Sequence, residues 1–315
     1  MPHPLKPSAL RPGDQIRVLS LASPVQEDLL RKGCDELSAL GYDPQVDLKS
    51  ALAHDSFFAG PARDRFASLR QALSDPAIRA IFCARGGYGS NYLLDCLSSA
   101  PAAPKIILGA SDISSLQVFL WQRFGWVTFY GPMVATNFNR GAGAPHGYDQ
   151  ASLLSALTAT TRGWDLDLQG ESLVSGTAEG VLLGGCLTLV ESTLGTPWEI
   201  DTAGALLVLE DRGMKPYQVD RALMHLKQAG KLKGISGIVL GDFPECQGLA
   251  DGETVRDVAS RILASLGVPV VWGAPIGHTE RAMLTLPLGI RARMTVAGAD
   301  SAPTRLDILE PACVA

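Results

Sequence analysis

The 315-residue sequence has no apolar run approaching the ~20 residues that a membrane-spanning helix needs. Its first residues, Met1-Pro2-His3-Pro4-Leu5-Lys6-Pro7, include neither the apolar segment nor the small-residue cleavage site of a signal peptide. The six cysteines form no Cys-x-x-Cys pair and no Cys/His spacing typical of a metal site. These absences predict a cytoplasmic protein with reduced cysteines and without a bound metal.

The sequence also lacks a basic stripe, and its formal net charge is −5. Binding a phosphate backbone takes clustered lysine and arginine, so nucleic acid is excluded as a main partner. Hydrophobic residues make up 46% and charged residues 19%, which is ordinary for a globular enzyme. The length exceeds what one hydrophobic core usually holds, so we expect two domains.

Residues 15–131 alternate apolar strands with amphipathic helices, which predicts a parallel sheet covered on both faces. The segment Asn137 to Tyr148 is rich in glycine and turn formers and is the best linker candidate. We therefore predict an α/β domain over residues 1–140 and a second domain over residues 141–315. The second half mixes strands and helices and ends in two alternating segments that predict antiparallel pairing.

One tetrapeptide in the first half, Gly109-Ala110-Ser111-Asp112, follows a short apolar run and precedes an amphipathic stretch. Strand, abrupt turn and helix in this order are typical of the nucleophile elbow of hydrolases, which exposes a serine at a helix N-terminus. Serine and aspartate before a helix are equally typical of N-caps. A non-catalytic α/β ligand-binding protein is therefore the alternative from another class.

Five histidines limit the choice of a general base. His278 lies in a glycine-containing loop directly after the apolar run Val268–Val271, where α/β folds place working side chains. A loop histidine satisfied by backbone carbonyls is the alternative interpretation. His54, in a polar loop, is a second candidate base, whereas His3, His146 and His225 lie in the amino-terminal segment, the linker and a polar helix.

The acid that orients the base should end another strand. Glu210 closes the apolar run Leu206–Leu209, and on spacing alone Asp211 or Asp242 would serve equally well. The order Ser111, Glu210, His278 is that of α/β-hydrolases. However, the elbow lacks the second glycine of the G-x-S-x-G motif, which argues against an ordinary member of that fold.

The stretch Arg85-Gly86-Gly87-Tyr88-Gly89 lacks the spacing of a phosphate-binding loop. It follows a parallel strand, as Ser111 does, so both loops should emerge at the same sheet edge. We expect the N–H of Gly86 or Gly87, together with that of Asp112, to form an oxyanion hole. Arg85 and Tyr88 are the predicted substrate-binding residues, with Arg85 available for a substrate carboxylate.

Taken together and in order, a set of short motifs resembles the LD-carboxypeptidases, the serine peptidase family that includes muramoyltetrapeptide carboxypeptidases and microcin C immunity proteins. The resemblance runs from Pro12 to about Leu288. Its motifs are Arg85-Gly86-Gly87-Tyr88-Gly89, Gly109-Ala110-Ser111-Asp112, Tyr130-Gly131-Pro132, Gly184-Gly185, Leu209-Glu210-Asp211, Pro216-Tyr217, Asp220-Arg221, Gly277-His278-Thr279 and Leu286-Pro287-Leu288-Gly289.

The resemblance implies a catalytic triad of Ser111, Glu210 and His278 without a cofactor. It also implies a flavodoxin-like N-terminal domain, a smaller C-terminal swivelling β/β/α-type domain, a site between them and a homodimer. The chain departs from the family at Ala110, where a bulkier residue is usual, and at Cys186, where asparagine is usual. Both departures bear on the shape of the pocket rather than on the triad.

For the substrate, the resemblance implies release of terminal D-Ala from murein tetrapeptide during peptidoglycan recycling. The alternative is a microcin C-type immunity peptidase, which cleaves a peptidyl- or aminoacyl-nucleotide conjugate. Such proteins tend to carry a longer loop with aromatic residues between the serine and the glutamate. Trp164 and Trp198 lie in that interval, but no insertion is evident, so the murein peptide is the expected substrate.

Overall fold

A computed structural model describes residues 2–97, 103–248, 252–298 and 304–315. The helices in these ranges are α1 (Glu27–Ala39), α2 (Leu48–Ala51), α3 (Ala62–Ser74), α4 (Asn91–Leu94), α5 (Ser114–Phe124), α6 (Gln150–Thr158), α7 (Leu187–Glu191), α8 (Pro216–Gln228) and α9 (Val255–Leu263). Short 3-10 helices lie at Ser111–Ile113, Phe138–Arg140 and Ala264–Leu266. Across the described ranges, no helix combines the length and apolar character needed to cross a bilayer.

The strands of these ranges form two sheets. They are β1 (Gln15–Leu19), β2 (Asp43–Gln45), β3 (Ile78–Cys83), β4 (Ile106–Gly109), β5 (Thr128–Tyr130), β6 (Trp164–Asp167), β7 (Glu171–Val174), β8 (Gly176–Cys186), β9 (Ala205–Glu210), β10 (Gly237–Gly241), β11 (Val270–Ala274), β12 (Leu286–Leu288), β13 (Arg291–Val296) and β14 (Arg305–Ile308).

The first sheet has the order β12-β5-β4-β3-β1-β2. Its strands β1 to β5 pair in parallel, and β12 joins the edge antiparallel to β5. The parallel order 2-1-3-4-5 is that of flavodoxin, so the predicted flavodoxin-like fold of the N-terminal half is confirmed. Every residue of β4 and β5 is buried, as expected for strands covered by helices on both faces.

The second sheet has the order β6-β14-β13-β8-β9-β10-β11-β7. Its centre, β8 to β11, is parallel, and antiparallel strands flank it on both sides. The predicted mixed α/β architecture of the C-terminal half is therefore confirmed. With eight strands against six, the second sheet is the larger of the two.

The segment between the predicted domains packs closely against the first sheet. Tyr148 is fully buried, its ring centroid lies 4.7 Å from that of Phe138, and its hydroxyl donates to Glu36 Oε1 at 2.7 Å. Further along, the main-chain N–H of Leu10 donates to the carbonyl of Leu157 at 2.9 Å. These contacts extend beyond residue 140, and the division of the chain at that residue stays a prediction.

Gly33 allows helix α1 to contact the chain that follows β5. An ideal Cβ at this position would lie 2.0 Å from the carbonyl oxygen of Val134, a main-chain atom that no rotamer change moves aside. Alanine normally favours a helix over glycine by roughly 1 kcal/mol. Here we expect Gly33→Ala to lower the free energy of unfolding by about 1–3 kcal/mol because of overpacking.

Urea unfolding of the purified variant measures this effect. Lys32→Ala is the matched control, because Lys32 lies on the exposed face of the same helix and should change stability little. A Gly33→Ala protein as stable as the wild type would contradict the close packing of α1.

Candidate active site

Ser111 lies on a strained turn between β4 and helix α5. Its φ angle is +61°, whereas the preceding Ala110 is extended. A left-handed conformation is unusual for a serine, and residues strained in this way are concentrated at functional sites. Ser111 opens the 3-10 helix that leads into α5, as expected for a nucleophile elbow. Its own main-chain N–H is already engaged, because it donates to the Tyr130 hydroxyl at 3.3 Å.

The glycine-rich loop after β3 lies directly against this serine. An ideal Cβ on Gly86 would be 2.7 Å from Ser111 Cβ and 2.9 Å from Ser111 Oγ, so glycine is required for the approach. The next residue, Gly87, has a φ of +106°, and an ideal Cβ there would lie 2.2 Å from Ser23 Oγ. Two neighbouring parallel strands thus bring their following loops together, as the sequence predicts.

Asp112 supports the elbow through its side chain. Its carboxylate is buried and accepts the main-chain N–H of Ser90 at 2.7 Å, while the Ser90 hydroxyl donates to the Asp112 carbonyl at 2.6 Å. Burial raises the pKa of Asp112, and the Ser90 hydrogen bonds offset only part of that rise. The carboxylate therefore fastens the start of α4 to the elbow.

Glu210, at the end of β9, is fully buried and holds His278. Its Oε2 atom accepts the main-chain N–H of His278 at 2.7 Å and lies 2.8 Å from Nδ1 of the His278 ring. Gly277, with a φ of +59°, makes this contact sterically allowed, since an ideal Cβ there would lie 2.2 Å from Glu210 Cδ. Because Nδ1 faces the carboxylate, Nε2 is the ring nitrogen left for chemistry.

The two groups shift each other's titration in opposite directions. Burial alone would raise the pKa of Glu210, but the charge and hydrogen bonds of His278 and the hydroxyl of Tyr130 outweigh it and lower that pKa. Burial alone would lower the pKa of His278, but the charge and hydrogen bond of Glu210 outweigh it and raise that pKa. The pair therefore favours a carboxylate beside an imidazolium.

The other acids that fit the spacing have different partners. Asp211 accepts the main-chain N–H and the hydroxyl of Thr188, at 2.9 and 2.7 Å, at the start of α7. Asp242 accepts the hydroxyl of Thr279 and the Nη2–H of Arg281, the latter at 2.6 Å. Of the three carboxylates, Glu210 is the one that contacts the imidazole of His278.

Ser111 and His278 line one cavity of about 190 Å³. Its walls also contain Arg85, Gly86, Gly87, Ala110, Met133, Thr136, Asn137, His146, Arg212, Pro244, Glu245, Gly277, Thr279 and Glu280. A larger cavity of about 330 Å³ lies beside β1 and α3 and contains none of the predicted site residues. Within the described ranges, no group of three or more histidine, cysteine, aspartate or glutamate residues is arranged to hold a metal ion.

The remaining predicted residues fall in different places. Arg85 lines the cavity, and its Nη1 atom donates to the carbonyl of Pro24 at 3.2 Å. Tyr88 is 45% exposed and packs with the rings of Phe57 and Phe58 rather than lining the cavity. The alternative base His54 is not among the cavity residues. The roles of Arg85 and Tyr88 in substrate binding stay predictions.

Sequence reasoning missed two residues of the site. His146, which the sequence places in the linker, is one of the residues that line the cavity. Its backbone is left-handed, with a φ of +57°. Tyr130 ends β5, and its hydroxyl bridges the main chain of Ser111 and the carboxylate of Glu210. Tyr130 belongs to one of the motifs that carry the family resemblance, but the motif alone does not show what the hydroxyl contacts.

The fold and the cavity define the class of the protein: a two-sheet α/β protein in which a serine on a strained elbow and a histidine held by a buried carboxylate line one cavity. Family models identify its parts, since the LD-carboxypeptidase N-terminal domain matches residues 16–131 and the C-terminal domain matches residues 179–294. The chain belongs to the LD-carboxypeptidase family, as its motifs predict.

Individual relatives match over nearly the whole chain. A probable murein peptide carboxypeptidase from Bacillus subtilis is 37% identical, with 93% of this chain and 92% of the relative covered. The structure of a muramoyltetrapeptide carboxypeptidase from Oxalobacter formigenes is 29% identical with a TM-score of 0.82, covering 94% and 99% of the chains. An MccF-like protein from Bacillus anthracis is 26% identical with a TM-score of 0.85, covering 96% and 99%.

The raised pKa of His278 predicts the pH dependence of the enzyme. A general base must be neutral, so activity should fall as the pH drops through the pKa of His278. We expect the acid limb of kcat/KM to have its midpoint above the value of about 6.5 of an ordinary histidine. A pH–rate profile of the purified protein measures this midpoint.

Glu210→Gln is the companion variant for that profile. It removes the charge that raises the pKa of His278, so the acid limb of its residual activity should move to lower pH. A wild-type midpoint at or below that of an ordinary histidine would contradict the coupling between Glu210 and His278.

Proposed function

We propose that the chain is a serine carboxypeptidase with a Ser111–Glu210–His278 triad. Ser111 Oγ attacks the scissile carbonyl and passes its proton to His278 Nε2, which returns it to the leaving amine. Glu210 holds the ring in the required tautomer and stabilises the imidazolium that forms. One observation carries the proposal: a buried carboxylate holds the imidazole by Nδ1 at the cavity that the strained serine also lines.

The tetrahedral intermediate needs hydrogen-bond donors for its oxyanion. We assign these to the main-chain N–H of Asp112 and that of Gly86 or Gly87. The close approach of Gly86 to Ser111 Oγ supports this assignment. The engagement of the Ser111 N–H by Tyr130 supports it as well, because that N–H is then directed to the phenol.

A carboxypeptidase must also bind the free carboxylate of its substrate. Arg85 and Arg212 are the two arginines lining the cavity, and guanidinium groups suit a carboxylate. The proposed substrate is murein tetrapeptide, cleaved between its L-centre and the terminal D-Ala. The relatives named as murein peptide and muramoyltetrapeptide carboxypeptidases support this choice.

The setting of the reaction follows from that substrate. Murein peptides return to the cytoplasm during peptidoglycan recycling, so we propose that the enzyme acts there, which agrees with the cytoplasmic location expected from the sequence. We further propose that it acts as a homodimer, as the family resemblance implies.

The site takes Ser111 from the first sheet and Glu210 from the second, so both proposed domains are needed for activity.

Replacing Ser111 tests the chemistry. We expect Ser111→Ala to lower kcat for the tetrapeptide by at least about a thousandfold, because the nucleophile is lost. Ser38→Ala on the exposed face of α1 is the matched control and should keep the wild-type rate. Excess EDTA should leave the wild-type rate unchanged. An active Ser111→Ala protein would refute the triad and favour a non-catalytic role for this serine.

Three compounds test the substrate. We expect release of D-Ala from L-Ala-γ-D-Glu-meso-diaminopimelate-D-Ala, and little cleavage of the same peptide ending in L-Ala. An aspartyl-adenylate analogue represents the microcin-type alternative, which the likeness to the MccF-like protein favours. Product release followed by liquid chromatography and mass spectrometry separates the cases, and cleavage of the nucleotide analogue alone would reverse the assignment.

A further inference from the structure

Tyr130 connects the nucleophile to the acid. Its side chain is fully buried at the end of β5, and its hydroxyl has partners on two sides. It accepts the main-chain N–H of Ser111 at 3.3 Å and donates to Oε1 of Glu210. Ser111 follows β4 and Tyr130 ends β5, both in the first sheet, whereas Glu210 ends β9 of the second. This hydroxyl therefore crosses from one sheet to the other inside the site.

The phenol completes the hydrogen bonding of the buried carboxylate. Oε2 of Glu210 accepts the main-chain N–H of His278 and contacts Nδ1 of its ring, and Oε1 accepts a hydrogen bond from the hydroxyl of Tyr130. A buried carboxylate oxygen without a donor is strongly unfavourable. Burial and the charge of Glu210 raise the pKa of Tyr130 well above its ordinary value, so the phenol keeps its proton and remains a donor.

Room for the phenol is provided by the double glycine at the end of β8. An ideal Cβ on Gly185 would lie 3.2 Å from Tyr130 Cε2 and 2.5 Å from Ser114 Oγ. Gly185 has a φ of +139°, and the following Cys186 donates its main-chain N–H to Ser114 Oγ at 3.0 Å. The second sheet thus approaches the start of helix α5 closely enough for Tyr130 to reach Glu210.

We propose that Tyr130 is a positioning residue of the reaction. It holds the Glu210 carboxylate in the plane that presents Oε2 to His278, withdraws charge from Oε1, and fixes the elbow of Ser111 relative to the acid. This inference deepens the proposed triad and rests on it. Tyr130 acts through Glu210 and the main chain of Ser111, and it transfers no proton in the reaction.

Tyr130→Phe tests the proposal by removing the hydroxyl and keeping the ring. We expect kcat/KM for the tetrapeptide to fall about ten- to hundredfold, mostly through kcat, as a hydrogen bond to a charged group is lost. Without the donor, the carboxylate is more basic and attracts the imidazolium more strongly. The pKa of His278 therefore rises, and the acid limb of the pH–rate profile moves to higher pH.

Tyr148→Phe is the matched control. Tyr148 is also a fully buried tyrosine that donates to a carboxylate, Glu36, but it lies outside the cavity. Its variant should lose stability while keeping the wild-type kcat and acid limb. Melting temperatures and titration of active sites with a fluorophosphonate correct both variants for their folded fraction.

Replacing Tyr130 by 3-fluorotyrosine gives a second variant that keeps the shape of the side chain. The more acidic phenol is a stronger donor, so the acid limb should move to lower pH, opposite to the shift in Tyr130→Phe. A lower melting temperature with an unmoved acid limb in both variants would overturn the proposal and leave Tyr130 a purely structural role. An active Ser111→Ala protein, by contrast, would refute the triad itself.

Discussion

The hydrogen-bonded pair of Glu210 and His278 is the interaction on which the site depends. A carboxylate with no exposure to solvent is costly unless several donors surround it, and Glu210 has three. Two of its neighbours must be glycine, since an ideal Cβ on Gly241 or Gly277 would overlap the glutamate side chain. The positive φ of Gly277 and the lack of a side chain at Gly241 and Gly277 thus make room for this buried carboxylate.

The strain at Ser111 is maintained by the same arrangement. A left-handed serine costs of order 1–3 kcal/mol and persists only where the surroundings hold it. Here β4 ends directly before the turn. The carboxylate of Asp112 accepts a hydrogen bond from the main-chain N–H of Ser90, and the N–H of Ser111 donates to the hydroxyl of Tyr130. The stability of the two packed sheets thus maintains a conformation that the turn alone would not keep.

Sequence reasoning succeeded where a pattern maps directly onto local structure. The apolar run of β9 ends at Glu210 as predicted, and the order of strands and helices in the first half yields the observed sheet. It failed for β2, β6, β7 and β12, which have three or four residues each and contain charged, polar or proline residues, unlike the equally short apolar strand β4.

The residues missed at the site share a physical reason. His146 reaches the cavity because its loop folds back, with its main-chain N–H donating to the carbonyl of Glu280 at 2.9 Å. Tyr130 reaches Glu210 because the two sheets meet there. Both depend on contacts between segments far apart in the chain, which composition and spacing do not encode. The choice of Glu210 over Asp211 and Asp242 depends on such contacts as well.

Strand β12 has a consequence for how the molecule could be divided. It follows β11 of the second sheet, yet it pairs with β5 and closes the edge of the first. No single cut between the two halves leaves each sheet with all its strands. An isolated amino-terminal piece would present the unpaired edge of β5, a surface prone to join other chains. The segment that carries His278 runs from β11 of the second sheet to β12 of the first, so the position of His278 depends on both sheets.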